Sequence, residues 1–206
     1  MPNKLVETTK KTIKMNFSEK FKIRWYLPPR CGSRSTFKIL RFFKFSLNNH
    51  SFLLNDKQSD YQTIFNIRNP YFRLISLFYL HCEMEKNFSR DFKKWSIAVL
   101  KERSVFVFNN PYDLEINLKL LGRNPNHFVK IENFYEDLIK IPIIQDNMSV
   151  DLENVFQKAV HSNEYKNNFK GNIFYDEELA DIVYDKLKYQ FEVFDYNKNS
   201  WKNGSS

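Results

Sequence analysis

Apolar positions recur along this chain with two periods, and the places where the period changes set out its organisation. Between Phe21 and Leu27 the residues Phe21, Ile23, Trp25 and Leu27 alternate with Lys22, Arg24 and Tyr26, the spacing of a strand. From Thr36 to Phe45 the spacing lengthens, and Phe37, Ile39, Leu40 and Phe43 fall on one side of a helix. Tyr61 to Ile67 reads as a second, buried strand; Pro70 stands where a helix can begin, and Leu74, Ile75, Leu77 and Phe78 give that helix its buried stripe. Further along, Asn87 to Arg103 has Phe88, Phe92, Trp95, Val99 and Leu100 at core spacing. Ser104 to Asn126 is irregular, Phe128 to Ile131 reads as a core strand, and Phe134 to Ile139 as a short helix. Val150 to Val160 and Asp176 to Phe194 are helical in pattern, separated by the polar stretch His161 to Asn172, expected as a loop. Alternating strands and helices predict an α/β fold, a central and mainly parallel β-sheet flanked by α-helices. Residues 21–196 form its single domain, with 1–20 a mobile arm or short edge addition and 197–206 a frayed tail.

The first strand and first helix are joined by Leu27-Pro28-Pro29-Arg30-Cys31-Gly32-Ser33-Arg34-Ser35-Thr36. The prolines stop the strand and the glycine permits a tight turn, so the unit is a strand, a loop and a helix of P-loop-like form. Backbone N–H groups at the start of a helix have no partner within it, and the helix dipole favours an anion there. Arg30 and Arg34 add fixed positive charge, and Ser33, Ser35 and Thr36 add hydroxyl donors suited to phosphate oxygens. The loop lacks the first glycine and the Gly-Lys pair of the nucleotide kinase and ATPase pattern.

The stretch Pro29-Arg30-Cys31-Gly32-Ser33-Arg34-Ser35-Thr36 resembles the 5′-phosphosulfate loop of sulfotransferases, P-K-x-G-[ST]-[ST]. Ile67-Arg68-Asn69-Pro70-Tyr71-Phe72-Arg73-Leu74-Ile75-Ser76-Leu77-Phe78-Tyr79 resembles their 3′-phosphate motif, R-x-P-x-x-R-x-x-S-x-[FY]. Phe128 to Leu138 is similar to the family's strand followed by E-N-L-x-x-D, and Tyr175 to Tyr196 to its closing helix. The likeness is nearest to the Golgi-type carbohydrate branch. It implies transfer of a sulfuryl group from 3′-phosphoadenosine 5′-phosphosulfate (PAPS) to an acceptor hydroxyl, releasing the bisphosphate PAP, with no metal required. It also implies that Arg30, Cys31, Gly32, Ser33, Arg34, Ser35 and Thr36 hold the 5′ end of the nucleotide and that Arg68 and Ser76 hold the 3′-phosphate. Lys166 and Lys170 would cover the phosphates, with Phe169 or Phe174 on the adenine. His50, between the two motifs, matches the segment from which the carbohydrate enzymes draw a base; Asp56 and Asp60 are the fallback. Arg30 departs from the family's lysine: it keeps the charge and cannot donate a proton at neutral pH, so its part is electrostatic.

The remaining features bound these expectations. At 206 residues with 42% apolar content the chain suits one core. A net charge of +8 calls for anionic partners, which a bisphosphorylated nucleotide and an acidic glycan both satisfy. Basic residues are interleaved with 24 acids and follow no nucleic-acid module, so no nucleic-acid partner is expected. The acceptor is expected to be a saccharide, with Lys119 and Arg123 as contacts; the oligomeric state is left open. Two cysteines make no disulfide framework, and Cys31 reads as a small residue in a crowded turn rather than a nucleophile. No run approaches the roughly 20 apolar residues of a membrane span. A soluble, cytoplasmic protein is therefore expected, or a Golgi lumenal one if an anchor lies outside these residues. The competing readings are a nucleotide- or glycan-binding protein of the same fold without catalysis, and, less favoured, a small nucleotide kinase or nucleic-acid-binding protein.

Overall fold

A computed structural model describes residues 16–45, 60–84, 91–101, 124–167 and 171–202, with side chains for all of these but 159–167, 171 and 172. Its sheet has four strands in the order β1 (Asn16–Ser18), β2 (Ile23–Tyr26), β3 (Gln62–Ile67) and β4 (His127–Lys130). β1 is an antiparallel edge on β2, so the end of the expected arm does add to the sheet. β2, β3 and β4 are parallel, with Trp25 opposite Ile64 and Asn66 opposite Val129. The fold is thus α/β with a mainly parallel sheet.

Parallel pairing demands crossovers, and the helical periods supply them. α1 (Ser33–Phe42) links β2 to β3, while α2 (Pro70–Met84) and α3 (Phe92–Lys101) follow β3. After β4 come a 3-10 turn (Ile131–Asn133), α4 (Phe134–Leu138), α5 (Pro142–Gln145), α6 (Val150–Asn167), α7 (Gly171–Phe174) and α8 (Glu177–Val193). One apolar cluster joins the strands to α1, α4, α5 and α6; a second joins α2, α3, α7 and α8 with Trp201. Every residue of β2 is buried, Arg24 and Tyr26 included, because helices cover both faces where alternation alone predicts one wet side. Asp176 caps α8, accepting from the Leu179 amide at 2.8 Å.

Two segments differ from expectation. Residues 161–167, expected as loop, continue α6: the stretch is polar but contains no Pro or Gly to stop a helix before Gly171. Asn197 to Lys202, expected to fray, folds back onto α2. Ser200 Oγ accepts from Asn69 Nδ2 at 2.8 Å, the Lys198 carbonyl accepts from the Tyr71 hydroxyl at 2.8 Å, and Trp201 is buried. Among the described residues no helix is long and apolar enough to cross a membrane.

Candidate active site

The chain leaves β2 through Leu27, Pro28 and Pro29, all buried, and turns twice through left-handed backbone, at Arg30 (φ 68°) and Gly32 (φ 72°). The first of these is a conformation that a residue with a Cβ adopts at a cost. Gly32 is the N-cap of α1, and its carbonyl accepts the first helical bond, from the Thr36 amide at 3.1 Å. A Cβ on Gly32 would stand 2.4 Å from Ile131 Cδ1, so the backbone angle favours glycine and any side chain here would force the buried Ile131 to shift. The amides of Gly32, Ser33 and Arg34 precede the first helical bond, so no carbonyl within the helix takes them. No acidic residue occupies that first turn.

Asn66 near the end of β3 fixes this loop. Its Nδ2 donates to the Cys31 carbonyl at 2.9 Å and to Thr36 Oγ1 at 2.8 Å, and its Oδ1 accepts from Trp25 Nε1 at 2.8 Å. Thr36 Oγ1 in turn donates to the Gly32 carbonyl at 3.1 Å. One buried amide therefore joins β2, the loop, α1 and β3. Sequence reasoning missed it; the signal was a lone amide inside the apolar run Ile64-Phe65-Asn66-Ile67, a position where a polar group must be bonded to be tolerated.

The second motif closes on the first. Arg68, at the carboxyl end of β3, donates to the Arg30 carbonyl at 3.2 Å; Arg73 Nε donates to the Pro29 carbonyl at 3.4 Å. Arg30 Nε donates to Ser76 Oγ at 2.8 Å, across 46 residues of sequence. Arg68, Arg73 and Ser76 are buried and Arg30 is half-buried. Burial lowers the Arg68 pKa from the usual guanidinium value, and the charge of Glu132 works against that shift. Glu132 accepts from the Asn69 amide at 2.9 Å and from the Tyr196 hydroxyl at 3.0 Å. It thereby binds the start of α2 to the C-terminal return.

Of the residues expected at the site, Arg30, Gly32, Ser33, Arg34, Arg68 and Ser76 gather around the bend at the carboxyl ends of β2 and β3. Ser35 is buried beneath them. Cys31 and Thr36 serve the loop itself: the Cys31 amide donates to the Pro28 carbonyl at 3.1 Å, so it does not face an anion. Burial pushes the Cys31 thiol up to about 11, which removes it as a nucleophile at neutral pH. Asp60 precedes β3 at the opposite end of the strand, about 20 Å from the bend at the rise of six residues, so it is no fallback base. Phe174 packs edge-on against Phe92 and Tyr79 in the second core cluster, not at the bend. His50, Asp56, Lys119, Arg123, Phe169 and Lys170 lie outside the described residues, and Lys166 belongs to the last turn of α6, where only the backbone is described. Among the described residues no group of three or more His, Cys, Asp and Glu side chains is placed to hold a metal ion.

A cavity of about 570 Å³ lies elsewhere, at the far end of α1 between the β1–β2 turn and Phe42–Lys44. Comparison with protein-family models, with curated proteins and with solved structures finds no match to this chain.

Proposed function

We propose that this protein transfers a sulfuryl group from PAPS to a hydroxyl of a saccharide acceptor. What carries the reading is the direct contact between the two nucleotide motifs, Arg30 Nε to Ser76 Oγ at 2.8 Å, with Arg68 bonded to the Arg30 carbonyl. Two motifs that grip opposite ends of one adenosine bisphosphate must stand side by side, at the carboxyl ends of adjacent parallel strands, where α/β folds bind ligands. A left-handed Arg30, its own carbonyl bonded by Arg68 and the next carbonyl by Asn66, is a strained residue kept in place by its surroundings, as often found at functional loops.

The residues fit a doubly anionic nucleotide. The first-turn amides and Arg30 suit the 5′ end, and Arg68 with Ser76 suits the 3′-phosphate. The donor supplies an activated sulfuryl group: the acceptor oxygen bonds to sulfur as the bond from sulfur to the 5′-phosphate oxygen breaks. His50 takes the acceptor proton in this scheme. Arg30 and the Ser33 and Arg34 amides stabilise charge gathering on the departing phosphate oxygen, the logic of preorganised donors at a developing anion.

Calorimetric titration tests the reading before any acceptor is known. Bisphosphoadenosine (PAP) should bind at least tenfold more tightly than ATP or AMP, and Arg68→Ala should erase most of that preference. Equal or tighter binding of ATP would overturn it.

A further inference from the structure

We infer that the exposed face of α1 and the cavity at its C-terminal end form a binding surface for a linear acidic glycan, an extended subsite that deepens the saccharide reading above and rests on it. Arg34, Lys38 and Arg41 are all exposed and recur at intervals of four and three residues, so they share one face and span about 10 Å along the axis. Lys44, left-handed at φ 52°, follows just beyond the helix end, and Lys20 of the β1–β2 turn lines the same cavity as Lys44. The helix itself contains no acidic residue. Among the described residues none of these five cations makes an ion pair; Lys38 donates to the Lys158 carbonyl at 3.1 Å.

Helix stability does not explain the row. Cations favour a helix C-terminus, which accounts for Arg41 but not for Lys38 in the middle of the helix. The cavity gives the row an end suited to a sugar. It has about 570 Å³, within the range of small-ligand sites, and is lined by Phe21, Phe42 and Phe43 with Lys20, Lys44 and Asn147. Its one carboxylate, Glu19, is engaged by the Tyr61 hydroxyl and Lys22, so the cavity's remaining charge is positive.

The rings distinguish a glycan from a nucleic acid. Phe42 and Phe43 meet at 80° and Phe21 and Phe43 at 89°, while the Lys20 ammonium covers a face of Phe21 at 4.9 Å. Successive bases need open aromatic faces to stack on. A single pyranose can pack on one partly exposed ring, and Phe42 is 38% exposed, whereas a run of bases needs several. A single row of cations also matches one linear polyanion rather than the paired strands of a duplex.

The experiment is calorimetric titration of the full chain with a size-defined heparin oligosaccharide, with a single-stranded oligonucleotide of equal charge, and with PAP. Wild type should bind the oligosaccharide with PAP present or absent, and more tightly than the oligonucleotide. Lys38→Ala/Arg41→Ala/Lys44→Ala should weaken oligosaccharide binding about tenfold while leaving PAP affinity unchanged. Phe42→Ala, at an exposed ring, should weaken it several-fold even in high salt. Unchanged oligosaccharide affinity in the triple variant, or equal affinity for oligonucleotide and oligosaccharide, overturns the inference. Failure of the nucleotide reading appears separately, as absent PAP binding in wild type whose oligosaccharide binding is intact.

Discussion

Gly32→Ala tests whether the loop geometry rests on one residue. The backbone at φ 72° costs a residue with a Cβ about 1 kcal/mol. The new methyl would also lie 2.4 Å from Ile131 Cδ1, with Ile131 only 5% exposed and enclosed in the main core cluster. Forcing a methyl into such a space costs about 1–3 kcal/mol, so the total is about 2–4 kcal/mol. Ile131→Val separates the two causes. It removes Cδ1 and leaves Cγ1 at 3.1 Å as the nearest atom, relieving the clash but not the backbone. Alone it should cost about 1 kcal/mol; combined with Gly32→Ala it should restore about 1 kcal/mol or more relative to the sum of the single changes. Urea denaturation reads this directly: with a slope of about 2–3 kcal/mol/M, Gly32→Ala should lower the midpoint by about 1 M at unchanged slope. A shift below about 0.2 M, or strictly additive losses in the double variant, would refute the reasoning. Folded Gly32→Ala should also bind PAP more weakly, because the Ser33 and Arg34 amides are aimed by the Gly32 backbone.

Three further perturbations address the site. Arg30→Ala should lower turnover about a hundredfold or more, the scale for losing one donor to a developing anion, with the melting temperature little changed; unchanged turnover in folded protein removes Arg30 from the chemistry. Asn66→Leu keeps the size but strands the Trp25 indole N–H and the Cys31 carbonyl and takes one of two bonds from the Thr36 hydroxyl, costing about 3 kcal/mol, read as a melting temperature lowered by roughly 6–12 °C. Cys31 should resist iodoacetamide at pH 8 while half-buried Cys82 reacts. Because its folded pKa of about 11 lies above the unfolded value, its stabilising contribution is full below about pH 9 and lost as pH rises through 11. The urea midpoint of wild type should therefore fall more steeply than that of Cys31→Ala over that window.

The elements of this fold were legible wherever a single period ran unbroken. Trp25 and Ile64, core positions of two strands, stand opposite each other in the parallel register, and Pro70 begins α2 as its fixed φ allows. What escaped the sequence depends on contacts between distant residues. Arg24 falls on the face that alternation assigns to water, yet it is wholly buried and donates to Thr63 Oγ1 at 3.4 Å, because β3 and its helices cover it. Glu132 acts on Asn69 and Tyr196, 63 and 64 residues away, partners that no local pattern names. The polarity of residues 161–167 suits a helix as well as a loop. At the site, residue types identified the charged groups, but only the structure separates Arg30, Arg68 and Ser76 from Cys31 and Thr36, whose polar groups are consumed in holding the loop.

The Arg30–Ser76 bond also bears on why arginine can stand where the resemblance expects lysine. An ammonium has a single nitrogen for every partner, whereas a guanidinium is a planar fork. With Nε committed to Ser76 at 2.8 Å, the plane of that fork is set by a buried hydroxyl on α2. On this account Ser76 acts through Arg30; if it acts only on the 3′-phosphate, the two side chains contribute independently. A double-mutant cycle on turnover decides between them. Ser76→Ala should lower turnover several-fold in the Arg30 background and scarcely at all once Arg30→Ala has removed the fork, a coupling of about 1 kcal/mol or more. Equal losses in both backgrounds would mean that the contact between the motifs is proximity alone, and that Ser76 owes its place to the nucleotide rather than to Arg30.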